Sequence, residues 1–339
     1  LQRLEQLQSW LAAQLPGRAF SLAPASADAS FRRYFRVSFD DGANSLIVMD
    51  APPAHEDCRP WLKVGDIFRA AGAHVPDVLA QDLDLGFLLL SDLGSTTYLA
   101  TLQTPAADPL RDAHLYADAL GTLAAIQAAS QPGVLPEYDR ALLHRELMLF
   151  PEWYIARHKG VTLTDKERAT LDTVFERILA VNLAEPRVFV HRDYHSRNLM
   201  HIPGGRNPGV IDFQDAVYGP ITYDLVSLFK DAYIRWDEEF ILDLLIRYWE
   251  MARTLKLPVR EAFDDFHRDF EWMGVQRHLK VLGIFARLYH RDGKEGYLKD
   301  MPLVMDYLRR ACKRYGELGP LLKLLDRLDP EQVEFGYTF

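Results

Sequence analysis

Residues 187–213, RVFVHRDYHSRNLMHIPGGRNPGVIDF, break a chain that otherwise keeps helical spacing from residue 110 onward. The helical-period segments on either side fall at 111–130, 141–158, 164–181, 222–234, 238–256, 260–290 and 301–327. Within the break, RVFV, NLMHI and GVIDF read as short β pieces, and the turn-rich PGGRNPG separates the last two. RVFV leads His191, Arg192 and Asp193 into a loop; Asn198 follows in the same loop, and Asp212 comes after the hairpin. Two carboxylates and an amide delivered in this way suit phosphoryl transfer from a nucleotide. One carboxylate orients and deprotonates an attacking hydroxyl, while the other carboxylate and the amide supply oxygen ligands that hold Mg²⁺ on the phosphates. Asp193 is then the expected base, and Asn198 and Asp212 the expected metal ligands. Because Asp and Asn also make ordinary turns, the reading depends on strand, hairpin and second carboxylate occurring together.

Before residue 95 the pattern is different. FRRYFRVSF (31–39), NSLIVMD (44–50) and GFLLLSDLG (86–94) read as strands, with DDG at 40–42 as a hairpin turn. Between the second and third, Pro60 opens and Gly72 closes an expected helix. The fold class is therefore α+β with two lobes: a small β-rich N-lobe over 1–94 and a larger helical C-lobe over 95–339. A chain of 339 residues with 48% hydrophobic content can bury the cores this requires. The net charge of −9, without a Lys/Arg-dense block, argues against a nucleic-acid partner. No apolar run is long enough for a membrane span, and LQRLEQLQSWLAAQL at the start reads as an amphipathic helix rather than a signal peptide. Two distant cysteines, Cys58 and Cys312, disfavour a disulfide framework or a zinc site, so the cytoplasm is the expected compartment. The missing initiator Met is consistent with removal of an upstream segment.

HRDYHSRN matches H-x-D-x-x-x-x-N, and IDFQD looks like the D-F-G region of kinase-fold enzymes. Only FQDAVYGPIT separates Asp212 from the next helix, which leaves no room for a polypeptide-docking activation loop. In this brevity, and in the YGPITYDL after it, the chain resembles the aminoglycoside phosphotransferase family of small-molecule kinases over roughly residues 20–300. The resemblance implies a protein-kinase-like fold, ATP and Mg²⁺ as cofactors, and a small-molecule hydroxyl as acceptor. It makes Asp224 the helix-start residue that hydrogen-bonds the catalytic loop. ADASFRRYFRV, VMDAPP, LSDLG, ELMLFPEWY and HRDYHSRNLM look closest to the branch acting in peptidoglycan recycling, on the anomeric hydroxyl of N-acetylmuramate and N-acetylglucosamine. An aminoglycoside, choline-like or homoserine acceptor, a nucleotide-sensing pseudokinase and a helical scaffold stay open as alternatives.

One departure from the kinase pattern stands in LIVM, where Met49 occupies the place of the phosphate-binding Lys. The preceding loop is poor in Gly, so Ala27, Ala29 and Ser30 are expected to let backbone N–H groups approach the phosphates. Arg32, Arg33 and Arg36 are nearby cations; strand alternation separates Arg33 from the other two, and Arg33 is the expected replacement. Backbone groups of Ser91, Asp92 and Leu93 are expected to bind the adenine edge. On the acceptor side, Glu146, Glu152, Trp153 and Tyr154 offer carboxylates and flat rings for a sugar, although aromatics at helical spacing also form cores. His191 and Arg192 are expected to support the loop; His195, Arg197 and Asp215 have no assigned role.

Overall fold

The computed structural model describes residues 2–26, 31–106 and 110–330. Its first elements are α1 (Gln2–Gln14), β1 (Phe20–Ser26), β2 (Arg33–Phe39), β3 (Leu46–Asp50), α2 (Arg59–Ala70), β4 (Val78–Asp82), β5 (Phe87–Ser91), α3 (Tyr98–Leu102) and α4 (Arg111–Ala128). There follow α5 (Arg140–Leu147), a π-helical stretch (Phe150–His158), α6 (Asp165–Leu183), β6 (Arg187–Val190), β7 (Leu199–Met200), β8 (Gly209–Val210) and β9 (Val217–Pro220). The chain continues through α7 (Tyr223–Phe229), α8 (Glu238–Thr254), α9 (Phe263–Asp292), α10 (Met301–Arg314) and α11 (Gly319–Leu328). An antiparallel sheet near the N-terminus and a mostly helical remainder give the expected α+β class. Contacts divide the chain into two compact units, Leu1–Ile126 with Ser196–Ala216, and Gln127–His195 with Val217–Phe339. The expected 94/95 boundary, a division by role, lies inside the first of them.

In the first unit the strands run in the order β1-β2-β3-β5-β4, all antiparallel. Alternate side chains Val37, Phe39, Val48, Phe87 and Leu89 form one apolar face, and Leu7 and Leu11 of α1 cover it. Helix α2 begins with Pro60 in its first turn, where no N–H is needed, and ends before Gly72, which is left-handed at φ 94°. The edge strands β1 and β4 escape the sequence reading for a physical reason. FSLAPAS contains a proline, tolerated because an edge strand has an unpaired side, and half-exposed VLAQD lacks a clear apolar alternation.

The second unit is organised around α9, which is buried from Asp269 to Gly283 on nearly every side. Gly283 lets the helix approach Leu149: a Cβ there would stand 2.4 Å from the Leu149 carbonyl carbon. Two expected helices are interrupted. Pro151 lacks the N–H that would continue α5, and the chain widens into the π-helical stretch. Gly316, Gly319 and Pro320 likewise divide 301–327 into α10, a short 3₁₀ turn and α11.

Candidate active site

In the first unit β7 and β8 form the short hairpin anticipated between Asn198 and Asp212. Asn207 closes its turn, accepting from the Ile202 N–H at 2.8 Å and donating to the Ile202 carbonyl at 2.9 Å. Gly209 lies against Leu93, whose methyl would be 2.9 Å from a Cβ at that position, so a larger residue there would push on the 91–94 segment. Beyond β8 the Ile211 N–H donates to the Asn198 carbonyl at 3.1 Å, bringing the Asn198 amide nitrogen to 3.4 Å from Asp212 Oδ2. Gln214 donates to Asp212 Oδ1 at 2.8 Å. Asp212 itself is left-handed at φ 63°, a conformation Asp adopts more readily than most residues. The next side chain anchors it: Phe213 is fully buried against Trp61 and Phe68 of α2, at ring separations of 5.0 and 5.9 Å.

The 91–94 segment is held by its own sheet. Asp92 accepts from Arg36 Nε at 2.6 Å, the Ser45 hydroxyl at 2.7 Å and the Gly94 N–H at 2.8 Å, while Arg36 also donates to the Gly94 carbonyl at 2.9 Å. Burial raises the Asp92 pKa, but these donors more than reverse it and keep the carboxyl below its ordinary range. Ser91 pairs with Asp77 through both its N–H and its hydroxyl.

The expectation for Arg33 needs correction. Arg33 is paired directly opposite Asp50 in the β2–β3 register, and its Nε donates to Asp50 Oδ2 at 3.0 Å. Strand alternation puts it on the face opposite Met49, so it is badly placed to replace a cation there. Met49 is fully buried. Arg36 shares the Met49 face but holds Asp92, and Arg32 Nε lies 3.9 Å from Glu56. Ser30, with Ala27 and Ala29, lies outside the described residues.

In the second unit β6 ends at the catalytic-loop sequence, and α7 fixes the first residues of that loop. Asp224, completely buried at the start of α7, accepts the backbone N–H groups of His191 at 2.6 Å and Arg192 at 2.9 Å. Burial pushes its carboxyl up to about 6, against those two bonds. His191 is buried, and its Nδ1 accepts the Asp193 N–H at 3.3 Å. Arg192 is left-handed at φ 79°, which for a bulky residue costs about 1–3 kcal/mol. Surrounding bonds hold it there: the Arg192 guanidinium donates to Glu146 at 2.6 Å, and its carbonyl accepts from Arg277 Nη1 at 2.8 Å.

Asp193 is half-exposed, and Arg277 Nη2 stands 3.5 Å from its Oδ1. Burial raises its pKa, but Lys280, Arg277, His195 and Arg192 more than offset this and hold the carboxyl well below its usual range. Arg277 and Lys280 belong to α9 and went unnoticed in the sequence. The available signal was QRHLK at 276–280, a dense polar run in a helix long enough to cross a core.

Glu146 is corrected as an acceptor-binding carboxylate. It is buried, with Lys280 Nζ 3.0 Å away and Gln276 donating to it at 3.2 Å, besides the bonds from Arg192 and the Tyr138 hydroxyl. Tyr154 is corrected too: its buried ring stacks on Phe150 and His158 at 5.2 and 5.6 Å. Glu152 is exposed, and Trp153 is half-buried beneath Arg157, whose guanidinium lies 5.4 Å from the ring centre. A different set of rings starts at the catalytic loop. His195 meets Tyr233 edge-on at 5.5 Å, Tyr233 packs on Phe285 at 6.2 Å, and Phe285 on Tyr297 at 5.1 Å.

The pair Asn198 and Asp212 fits a hard cation, since both side chains offer oxygen and their ends are adjacent. Mg²⁺ ordinarily takes one or two protein ligands and completes its shell with water and phosphate. Among the described residues no group of three or more His, Cys, Asp or Glu could hold a metal ion.

In chain order, a strand-delivered Asp, an Asn, a short hairpin and a second Asp, on a fold of antiparallel sheet and helices, are the features of a phosphotransferase of kinase-like fold. The phosphotransferase enzyme family matches residues 21–257, more than half of the chain, and the chain belongs to that family. It is 53% identical over 340 residues to the N-acetylmuramate/N-acetylglucosamine kinase of Neisseria meningitidis, covering 100% of each chain. The enzyme of the same name from Pseudomonas aeruginosa is 50% identical, with 98% of each chain covered. Among solved structures, a choline kinase from Cryptosporidium parvum shares the fold at a TM-score of 0.62 and 14% identity, over 96% of this chain and 99% of that one.

Proposed function

We propose that the protein transfers the γ-phosphate of ATP to the anomeric hydroxyl of N-acetylmuramate and N-acetylglucosamine, as a cytoplasmic step of peptidoglycan recycling. The observation that carries this reading is the 53% identity, end to end, with a kinase named for those two sugars. Asp193 receives the hydrogen bond of the attacking hydroxyl and takes its proton as the new O–P bond forms and the bond to ADP breaks. Asn198 and Asp212 hold Mg²⁺, which when bound neutralises charge on the phosphates. The Ser91–Leu93 backbone receives the adenine edge, set in place by the Arg36–Asp92 clamp. For the sugar face we assign the His195–Tyr233–Phe285–Tyr297 rings in preference to Tyr154, because they begin beside Asp193 in the chain.

The low basicity of Asp193 agrees with this acceptor. A carboxylate kept ionised by neighbouring cations is a poor base for an ordinary alcohol, whereas an anomeric hydroxyl gives up its proton more readily. To test the proposal, the protein is incubated with ATP, Mg²⁺ and, separately, N-acetylmuramate, N-acetylglucosamine, choline, homoserine and kanamycin. Phosphorus–proton coupling then locates the phosphate. The expected product is the sugar 1-phosphate. Phosphorylation of choline or kanamycin with inert sugars overturns the substrate assignment, and a 6-phosphate overturns the anomeric one.

A further inference from the structure

We propose that Arg277 is a positioning residue of the transfer, holding the Asp193 carboxylate and the peptide before it in one orientation through a single guanidinium. The inference rests on Asp193 being the group that meets the acceptor.

Arg277 projects from the buried middle of α9, and its side chain is only 7% exposed. Nη1 donates to the Arg192 carbonyl at 2.8 Å and to the Tyr223 hydroxyl at 3.1 Å, while Nη2 faces Asp193 Oδ1 at 3.5 Å. One rigid group therefore touches the strained peptide and the carboxylate that follows it. The remaining contacts close a ring. Lys280 donates to the Tyr223 hydroxyl at 2.8 Å and lies 3.0 Å from Glu146, which in turn binds the Arg192 guanidinium at 2.6 Å. Helices α5, α7 and α9 thus converge on two loop residues.

Stability alone does not account for this arrangement. Desolvating two guanidiniums, an ammonium and a carboxylate offsets most of their mutual attraction, and apolar side chains of equal volume serve stability as well or better. A guanidinium does, however, fix direction: its planar fork reaches two acceptors at once, which a lysine ammonium on a flexible stem does not reproduce. Asp193 needs such direction. Its side chain is 43% exposed, and Arg277 meets it from the buried side.

The discriminating variant is Arg277→Lys, which keeps the charge and with it the folded state, and removes the two-point hold. With ATP and N-acetylglucosamine, kcat is expected to fall about 100-fold, the loss that follows from misplacing a reacting group by about 1 Å. The KM for ATP is expected to stay within about twofold, and the thermal midpoint close to that of the unchanged protein. Placed on Asp193→Asn, the same substitution is expected to cost no further activity, since the group it positions is already disabled. Wild-type kcat in folded Arg277→Lys overturns the inference, as does an equal fractional loss in the Asp193→Asn background. Should the unchanged protein phosphorylate neither sugar, the functional reading fails separately. The comparison is then made with whichever acceptor of the panel it does phosphorylate, and the same two outcomes decide.

Discussion

Asp193 and Asp212 both follow short strands of the same break in the helical pattern, and the side chains seen beside them differ. Asp212 is held by two neutral amides, from Asn198 and Gln214, and by the anchoring of Phe213 on α2. Asp193 is backed by the Arg277 guanidinium, with the Lys280 charge behind it. In the proposed roles, amides from Asn198 and Gln214 meet the carboxylate assigned to the metal, and a buried guanidinium gives direction to the one assigned to the acceptor hydroxyl.

The sharpest way to break this comparison is to neutralise each acid in turn. Asp193→Asn is expected to lower kcat by about 10³–10⁴-fold, in the upper range for loss of a general base, with little change in ATP affinity. Steady-state kinetics with ATP titration checks both halves of the statement, and near-normal turnover would sink the role assigned to Asp193.

Glu146→Gln tests whether the network behind Asp193 is electrostatic. It leaves Lys280 and Arg192 without their buried counter-charge, and the expected destabilisation at pH 7 is about 3–5 kcal/mol. Burial raises the Glu146 pKa, but Lys280, Arg192 and Tyr138 more than reverse it, to about 2. Because the folded value lies below the unfolded one, the stabilisation is full above about pH 4.5 and is lost as pH falls toward 2. Asp224 has the opposite sign: its pKa of about 6 is raised, so its contribution declines as pH rises from about 4 through 6. Urea unfolding between pH 3 and 7 is expected to show an acid limb that Glu146→Gln flattens. A limb of unchanged slope would count against the pairing.

Asp212→Asn acts on the other carboxylate and is expected to weaken Mg²⁺-dependent ATP binding by about 100-fold, at least as much as losing a partner behind a metal ligand costs. Calorimetry at several Mg²⁺ concentrations reads this directly; an unaltered Mg²⁺ requirement would remove Asp212 from the metal site. The smallest effect is expected from Arg36→Gln, which loosens the clamp on Asp92 and Gly94. A rise of about tenfold in the KM for ATP is the consequence of losing charge-assisted hydrogen bonds worth about 1.5–3 kcal/mol, partly replaced by water. Acceptor KM is the control, and a change there of the same size would mean that the clamp does not act on the nucleotide side.

Much of this arrangement was legible in the sequence because it is local. The strand entering at RVFV, the hairpin of PGGRNPG, and Pro60 and Gly72 bounding α2 each depend on residues a few positions apart, where backbone geometry leaves few choices. The readings that failed were those needing knowledge of a distant neighbour. Arg33 looked available as a phosphate ligand until pairing with β3 set Asp50 directly opposite it. Glu146 looked like a sugar-binding carboxylate until α9 brought Lys280 against it. Tyr154 offers a ring that in sequence is indistinguishable from a stacking platform, and the π-helical turn packs it between Phe150 and His158.

The sequence by itself determined the order and spacing of the three residues to which the chemistry is assigned, Asp193, Asn198 and Asp212, because they lie on one short stretch where both are covalent. Tertiary structure alone decided how those groups are prepared. Arg277 and Lys280 come from a helix more than eighty residues further along the chain than Asp193. Their charge falls off too steeply with distance to matter until folding places it within a few ångströms, in a low-dielectric interior where it is no longer screened.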